Sequence, residues 1–149
     1  MEKINVIKEV TEELLKTLQI AAGVEVVAGE ENVFQINLAT EESGLLIGYH
    51  GETLSSFQLI LGLIVFKKLG EWVRVVVEIG DYRAKRNETL TAMALDYADR
   101  AIASGQPIVL APMLAIERRA VHMALSDRKD VEAISEGEGK MRHIVIRPV

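Results

Sequence analysis

Apolar residues Ile4, Ile7, Val10, Leu14, Leu15 and Leu18 recur at helical spacing, with Lys8, Glu9, Glu12, Glu13 and Lys16 between them. The pattern predicts an amphipathic helix closing near Gly23. Residues 24–28 and 32–38 are two short strand candidates, joined by Gly29-Glu30-Glu31 as in a hairpin. Thr40 is placed to cap a short helix with Glu41 and Glu42 in its first turn, where acids favour the helix dipole. That helix runs into Leu-Ile-Gly-Tyr-His-Gly at 46–51, and a second helix follows over 52–69, ending at Gly70. Residues 72–79 are rich in β-branched side chains and predict a strand. A long helix over 81–104 carries Leu90, Met93, Ala94, Tyr97, Ala98 and Ala101 on one face and breaks at Gly105-Gln106-Pro107. A strand at 108–110, a helix at 112–125 and strands at 131–135 and 143–147 complete the chain. The expected class is α+β. An αββααβ module spans 1–80, and a linker helix with a small α/β module spans 81–149.

Composition narrows this picture. The 149 residues suit one average domain or two very small ones. Apolar residues make up 49% but aromatics only 5%, so the core should be aliphatic. Without cysteine there is no disulfide, thiolate metal site or thiol nucleophile, which suits a reducing, cytoplasmic setting. The N-terminus shows no secretion signal. The longest apolar run, residues 59–66, already contains Gly62 and falls short of the roughly 20 residues a membrane span requires. It is expected to be a buried helix face in a protein without membrane insertion. Net charge is −5, unevenly spread. Residues 1–80 hold 6 Lys/Arg against 12 Asp/Glu, whereas residues 81–149 hold 11 against 10. Attraction for a polyanion should therefore come mainly from the second half.

Three constellations carry candidate chemistry. Gly48 and Gly51 lie three apart at a helix–helix junction, where two residues without Cβ leave backbone amides bare beside the positive end of a helix. A phosphodiester can lie against such a surface. Between the glycines, Tyr49 offers a ring for stacking and His50 a donor to phosphate. Leu45, Leu46 and Ile47 before the loop, and Leu54 and Phe57 after it, would build an aliphatic groove against Val73, Val75 or Val77. An isolated Gly-x-x-Gly is more often only a tight turn.

In Glu117-Arg-Arg-Ala-Val-His122, Arg118 and His122 are four apart and share a helical face, with Arg119 adjacent. A guanidinium fork and an imidazole can together hold a phosphate oxygen. The following Ser135-Glu-Gly-Glu-Gly-Lys-Met-Arg142 frees further amides and brings Arg142 towards the same face, although Glu136 and Glu138 offer the arginines a structural partner instead. The third group, Arg83, Lys85 and Arg86, opposes the dipole at the start of the long helix, so a ligand anion or nearby acids such as Asp81 or Glu88 should neutralise it.

The helix–Gly-x-x-Gly–helix with its flanking strands resembles the KH domain in its bacterial, type II arrangement over about residues 1–80. Arg-x-x-x-His on a helix, followed by strands around Ser-Glu-Gly-Glu-Gly, resembles the R-3-H domain. KH loops usually carry Lys or Arg between the glycines, where this chain has Tyr49 and His50. With the Tyr82-Arg83-x-x-Arg86 helix start and Ala111-Pro-Met113, nearly the whole chain resembles the Jag family of bacterial KH–R-3-H proteins. The resemblance implies a cytoplasmic single-stranded RNA binder that acts as an RNA chaperone affecting the cell envelope, alongside a small KH-domain partner or a second copy. It implies no cofactor. Many members carry an N-terminal Jag domain, which this chain is expected to lack. The nucleic-acid contacts implied are Gly48, Tyr49, His50, Gly51, Leu54, Arg83, Arg86, Arg118, Arg119, His122 and Arg142. Single-stranded DNA and a pure protein-interaction scaffold remain the alternatives.

Catalysis is not expected. His50, His122 and His143 lack metal-site spacing, no Gly-x-Ser-x-Gly elbow surrounds a serine, and there is no phosphate loop for nucleotide hydrolysis.

Overall fold

In the computed structural model, which describes residues 1–149, the chain divides into two units, Met1–Arg83 and Ala84–Val149. The first runs α1 (Glu2–Thr17), β1 (Gly23–Ala28), β2 (Val33–Ala39), α2 (Ser43–Ile47), a 3-10 turn at Tyr49–Gly51, α3 (Glu52–Leu69) and β3 (Arg74–Ile79). This is the αββααβ order expected of a type II KH module. β1 and β2 pair antiparallel around the Gly29 turn, and β3 returns parallel to β2 after the α2–α3 crossover.

Alternation sorts each strand's side chains. Phe34, Ile36 and Leu38 of β2 and Val75, Val77 and Ile79 of β3 point inward. They meet Ile7, Val10 and Leu15 of α1 and Leu54, Phe57, Leu61 and Val65 of α3 in one core. Each fully buried aliphatic chain here contributes about 1.5–3 kcal/mol by leaving water.

Two expectations are corrected in this unit. Thr40 does not cap α2: its hydroxyl accepts from the Glu42 amide at 3.1 Å and donates to the Ala21 carbonyl at 2.8 Å, bracing the preceding turn. The apolar run 59–66 is not a buried face all round. Leu61 and Val65 enter the core, while Leu59, Ile60 and Leu63 are exposed, because only one stripe of α3 can face the sheet.

The second unit contains most of α4 (Tyr82–Ser104), then β4 (Ile108–Val109), α5 (Ala115–Ala124), β5 (Val131–Glu136), a 3-10 turn at Gly139–Met141, and β6 (His143–Pro148). β6 lies between β4 and β5, antiparallel to both. Ala94, Ala98 and Ala101 of α4 share a core with Val121 and Leu125 of α5 and with Ile144 and Ile146 of β6. α5 starts three residues later than expected because Pro112–Leu114 stays extended, with Leu114 at φ −61°, ψ 154°. No helix in the chain is long and apolar enough to cross a membrane.

Candidate nucleic-acid interface

The glycine loop is shaped by backbone that only glycine tolerates. Gly48 sits at φ 71°, ψ −170°, and Gly51 at φ 83°, ψ 11°. A Cβ on Gly48 would run into Thr53 Oγ1 and come within 2.7 Å of Thr53 Cβ; one on Gly51 would meet the Tyr82 ring at 3.3 Å. His50 between them is left-handed as well, at φ 50°. No side chain caps the start of α3, so its first-turn amides stay available to an anion.

Tyr49 is exposed and its ring stacks on His50, with centroids 3.9 Å apart. One face of Tyr49 is thus taken by its neighbour. No lysine or arginine lies within the loop, and Glu41, Glu42 and Glu52 flank it, all exposed.

The groove expected beside the loop is largely filled, with only Leu45 exposed and Ile47 half-buried. Leu54 is only 2% exposed, and Leu46, Phe57, Val73, Val75 and Val77 are likewise buried. Leu54 therefore supports the loop from beneath instead of facing a ligand: at this spacing the α3 stripe packs onto the sheet.

Arg83 and Arg86 are also placed differently from the expectation. Arg83 donates to the Val77 carbonyl and to Gln58 Oε1 at 3.0 Å, and pairs with Glu78 at 3.5 Å. Arg86 Nε donates to Glu117 Oε1 at 2.7 Å and its Nη2 to Oε2 at 3.4 Å. Glu78 and Glu117, brought there by the fold, are therefore among the acids that neutralise this helix start. Glu117 is 4% exposed, and the pair ties the first turn of α5 to α4.

A basic concavity of about 370 Å³ opens on α5. Arg118, Arg119, His122, Ser135 and Arg142 line it together with Ala115, Met123 and Ser126. No acid is among them. Arg118 donates to the Met113 carbonyl at 2.8 Å, Met113 N–H to the Arg142 carbonyl at 3.2 Å, and Arg142 Nη1 to the Gly137 carbonyl at 2.6 Å. This chain of bonds holds two guanidiniums on either side of the hollow. Gly137, at φ +87°, has Met141 O 3.0 Å from where its Cβ would be, so the β5–β6 turn needs glycine there. Glu136 pairs with Arg147 at 3.5 Å and leaves the arginines of the concavity alone.

Ser135 was not singled out by sequence reasoning. Its Oγ is buried and has no hydrogen-bond partner, yet the residue lines the concavity. Its place at the start of Ser-Glu-Gly-Glu-Gly was the only signal available. No group of three or more His, Asp or Glu side chains is arranged to hold a metal ion.

An αββααβ module with a Gly-x-x-Gly loop, joined to an α/β module with an Arg-x-x-x-His concavity, defines a protein of the KH plus R-3-H class. The KhpA/KhpB KH-domain model matches residues 5–79, and the R-3-H domain model matches residues 88–148. The chain is 34% identical to RNA-binding protein KhpB of Clostridium symbiosum over 139 residues, covering 93% of this chain and 63% of that protein. It is 32% identical to RNA-binding protein KhpB of Bacillus subtilis strain 168, covering 98% of this chain and 72% of the relative. A KhpB from Lactiplantibacillus plantarum is 32% identical over 89% of this chain and 41% of its own length. The chain belongs to the KhpB family. It spans about two thirds or less of the length of two of these three relatives.

Proposed function

We propose that this chain binds single-stranded RNA without catalysing a reaction, using two unequal contacts. The observation that carries the reading is the acid-free concavity of Arg118, Arg119, His122 and Arg142, with the unpaired Ser135 hydroxyl in its lining. Three guanidiniums match the phosphates of a flexible strand. The Gly48–Gly51 loop grips about four nucleotides beside the uncapped first turn of α3, whose amides take the phosphate, because the Gly48 and Gly51 amides already donate to the Gly44 and Gly48 carbonyls. It has no cation of its own, so it contributes position and little electrostatic attraction. Two weak contacts on one chain raise overall affinity through effective concentration.

Salt titration separates the two contributions. For a single strand, each phosphate that is no longer neutralised lowers the slope of log affinity against log salt by about 0.7. Arg119→Ala with His122→Ala should weaken binding and flatten the slope, whereas Tyr49→Ala with His50→Ala should weaken binding at unchanged slope. Equal slopes in all three proteins would remove the second module from the interface. Matched RNA and DNA oligomers compared in the same titration report any use of the 2′-hydroxyl. The chaperone and envelope roles implied by the resemblance would follow from which transcripts are held, which crosslinking and sequencing identifies.

A protein partner is favoured by one separate observation. Leu59 (65%), Ile60 (49%) and Leu63 (47%) form an exposed apolar row on α3, more than an isolated helix face usually leaves open. A small KH-domain protein or a second copy packing there would cover it. Leu59→Lys with Leu63→Lys should abolish any association seen by sedimentation without altering the monomer's circular dichroism.

A further inference from the structure

Trp72 is the chain's only tryptophan, and it is 61% exposed in the connection between α3 and β3. Its indole stacks on Phe66, with centroids 4.3 Å apart and planes 14° from parallel. A parallel stack occupies one face of the indole, and the exposure belongs to the other. The surrounding backbone is braced. Asn32 Nδ2 donates to the Trp72 carbonyl at 3.2 Å, and Arg74 N–H donates to the Asn32 carbonyl at 3.2 Å. Lys3 Nζ reaches both Asn32 Oδ1 at 3.3 Å and Glu71 Oε1 at 2.8 Å. The ring is thus presented on a fixed platform.

Most of this module's positive charge gathers around the platform, where the acids are Glu71 and the Glu30–Glu31 turn beside Asn32. Residues 1–80 have twice as many acids as bases, yet four of their six cations gather here. Lys67 and Lys68 form the last turn of α3, Arg74 opens β3, and Lys3 is tied to the connection through Glu71. Glu71, the one acid in the connection, is engaged by Lys3. Lys67, Lys68 and Arg74 are exposed. An open aromatic face beside unengaged cations suits a base whose flanking phosphates are neutralised, the arrangement used by sequence-tolerant single-strand binders. It stands at the far end of α3 from the glycine loop, about 27 Å away for an 18-residue helix.

We propose that Trp72, with Lys67, Lys68 and Arg74, is a second stacking site for single-stranded nucleic acid, taking bases beyond those gripped at Gly48–Gly51. The proposal rests on the RNA-binding reading and adds a site to it.

Because Trp72 is the sole tryptophan, its fluorescence reports on this site alone, while the anisotropy of an end-labelled strand reports on binding anywhere. The full chain is titrated with 4-nucleotide and 12-nucleotide oligoadenylates, and separately with vesicles of anionic phospholipid. The 12-mer should quench Trp72 with the midpoint seen by anisotropy, and the 4-mer should quench it little. Trp72→Leu should weaken the 12-mer about tenfold and leave the 4-mer unchanged, with Trp72→Tyr restoring most of the affinity. Lys67→Gln with Lys68→Gln, which leaves the Phe66 stack intact, should also weaken only the 12-mer. An anisotropy change without quenching, with Trp72→Leu binding normally, would overturn the site while the RNA-binding reading stands. No anisotropy response at all would remove both. Quenching by vesicles but not by the 12-mer would make this a membrane contact and overturn the proposal.

Discussion

Arg86→Ala should destabilise the second unit far more than an ordinary surface substitution, because the partner left behind is buried. Glu117 is 4% exposed and its carboxylate receives both Arg86 contacts, at 2.7 and 3.4 Å. Removing one member of a fully buried pair costs about 3–5 kcal/mol, most of it the desolvation of the charge that remains. The Arg86 side chain is 20% exposed, so water screens part of the interaction and about 2–3 kcal/mol is the expected loss. A unit of this size has only about 3–10 kcal/mol of stability in total. One kcal/mol moves the midpoint of so small a unit by about 4–8 °C, so its melting point should fall by about 8–24 °C. Far-UV circular dichroism follows the transition, and Trp72 fluorescence serves as an internal control because that residue lies in the first unit. The double variant Arg86→Met with Glu117→Leu, which removes both charges and keeps the volume, should recover most of the loss. A melt of Arg86→Ala superimposable on that of the unaltered protein would refute the reasoning, as would a double variant no better than the single one.

Two further outcomes follow from the geometry. Gly48→Ala places a Cβ against Thr53 in a region of backbone space that is essentially glycine-only; a thermal melt should show a loss of about 1–3 kcal/mol or more, whereas Gly44→Ala, with open space at its Cβ and a helical position, should be neutral or slightly stabilising. Arg128, bonded to Asp130 at 2.7 and 3.0 Å, holds the Asp130 carboxyl below its ordinary value through that hydrogen bond. A lowered carboxyl pKa contributes stability above the ordinary carboxylate range and loses it as pH falls through the lowered value. Carbon-detected NMR should find the Asp130 midpoint below the ordinary aspartate value, returning to it in Arg128→Ala.

Local information was enough for most elements. Helix α1 and strands β2 and β3 bury their residues with the periods written in the chain, and Gly70 closes α3 in the left-handed conformation expected of a helix-ending glycine. The Arg-x-x-x-His spacing likewise placed Arg118 and His122 on one side of α5, since helical geometry alone decides that. The groove beside the glycine loop was not legible: Leu46, Leu54 and Phe57 look the same in sequence whether they line a cleft or fill a core. Residues 59–66 are apolar in every direction, so no periodicity says which stripe meets the sheet.

The order of elements, the glycine positions and the imbalance of charge between the halves could all be read directly from the chain, because each is set by neighbours within a few residues. Which charges are neutralised within the protein emerges only on folding. Arg86 meets Glu117 across 31 residues, and Arg83 turns back to Gln58 and Glu78, while Arg119 and His122 keep no such partner. Folding also buries the Ser135 hydroxyl without a bond and leaves Trp72 open among lysines. Ion pairing and burial depend on distances between segments remote in the chain, which no local pattern encodes.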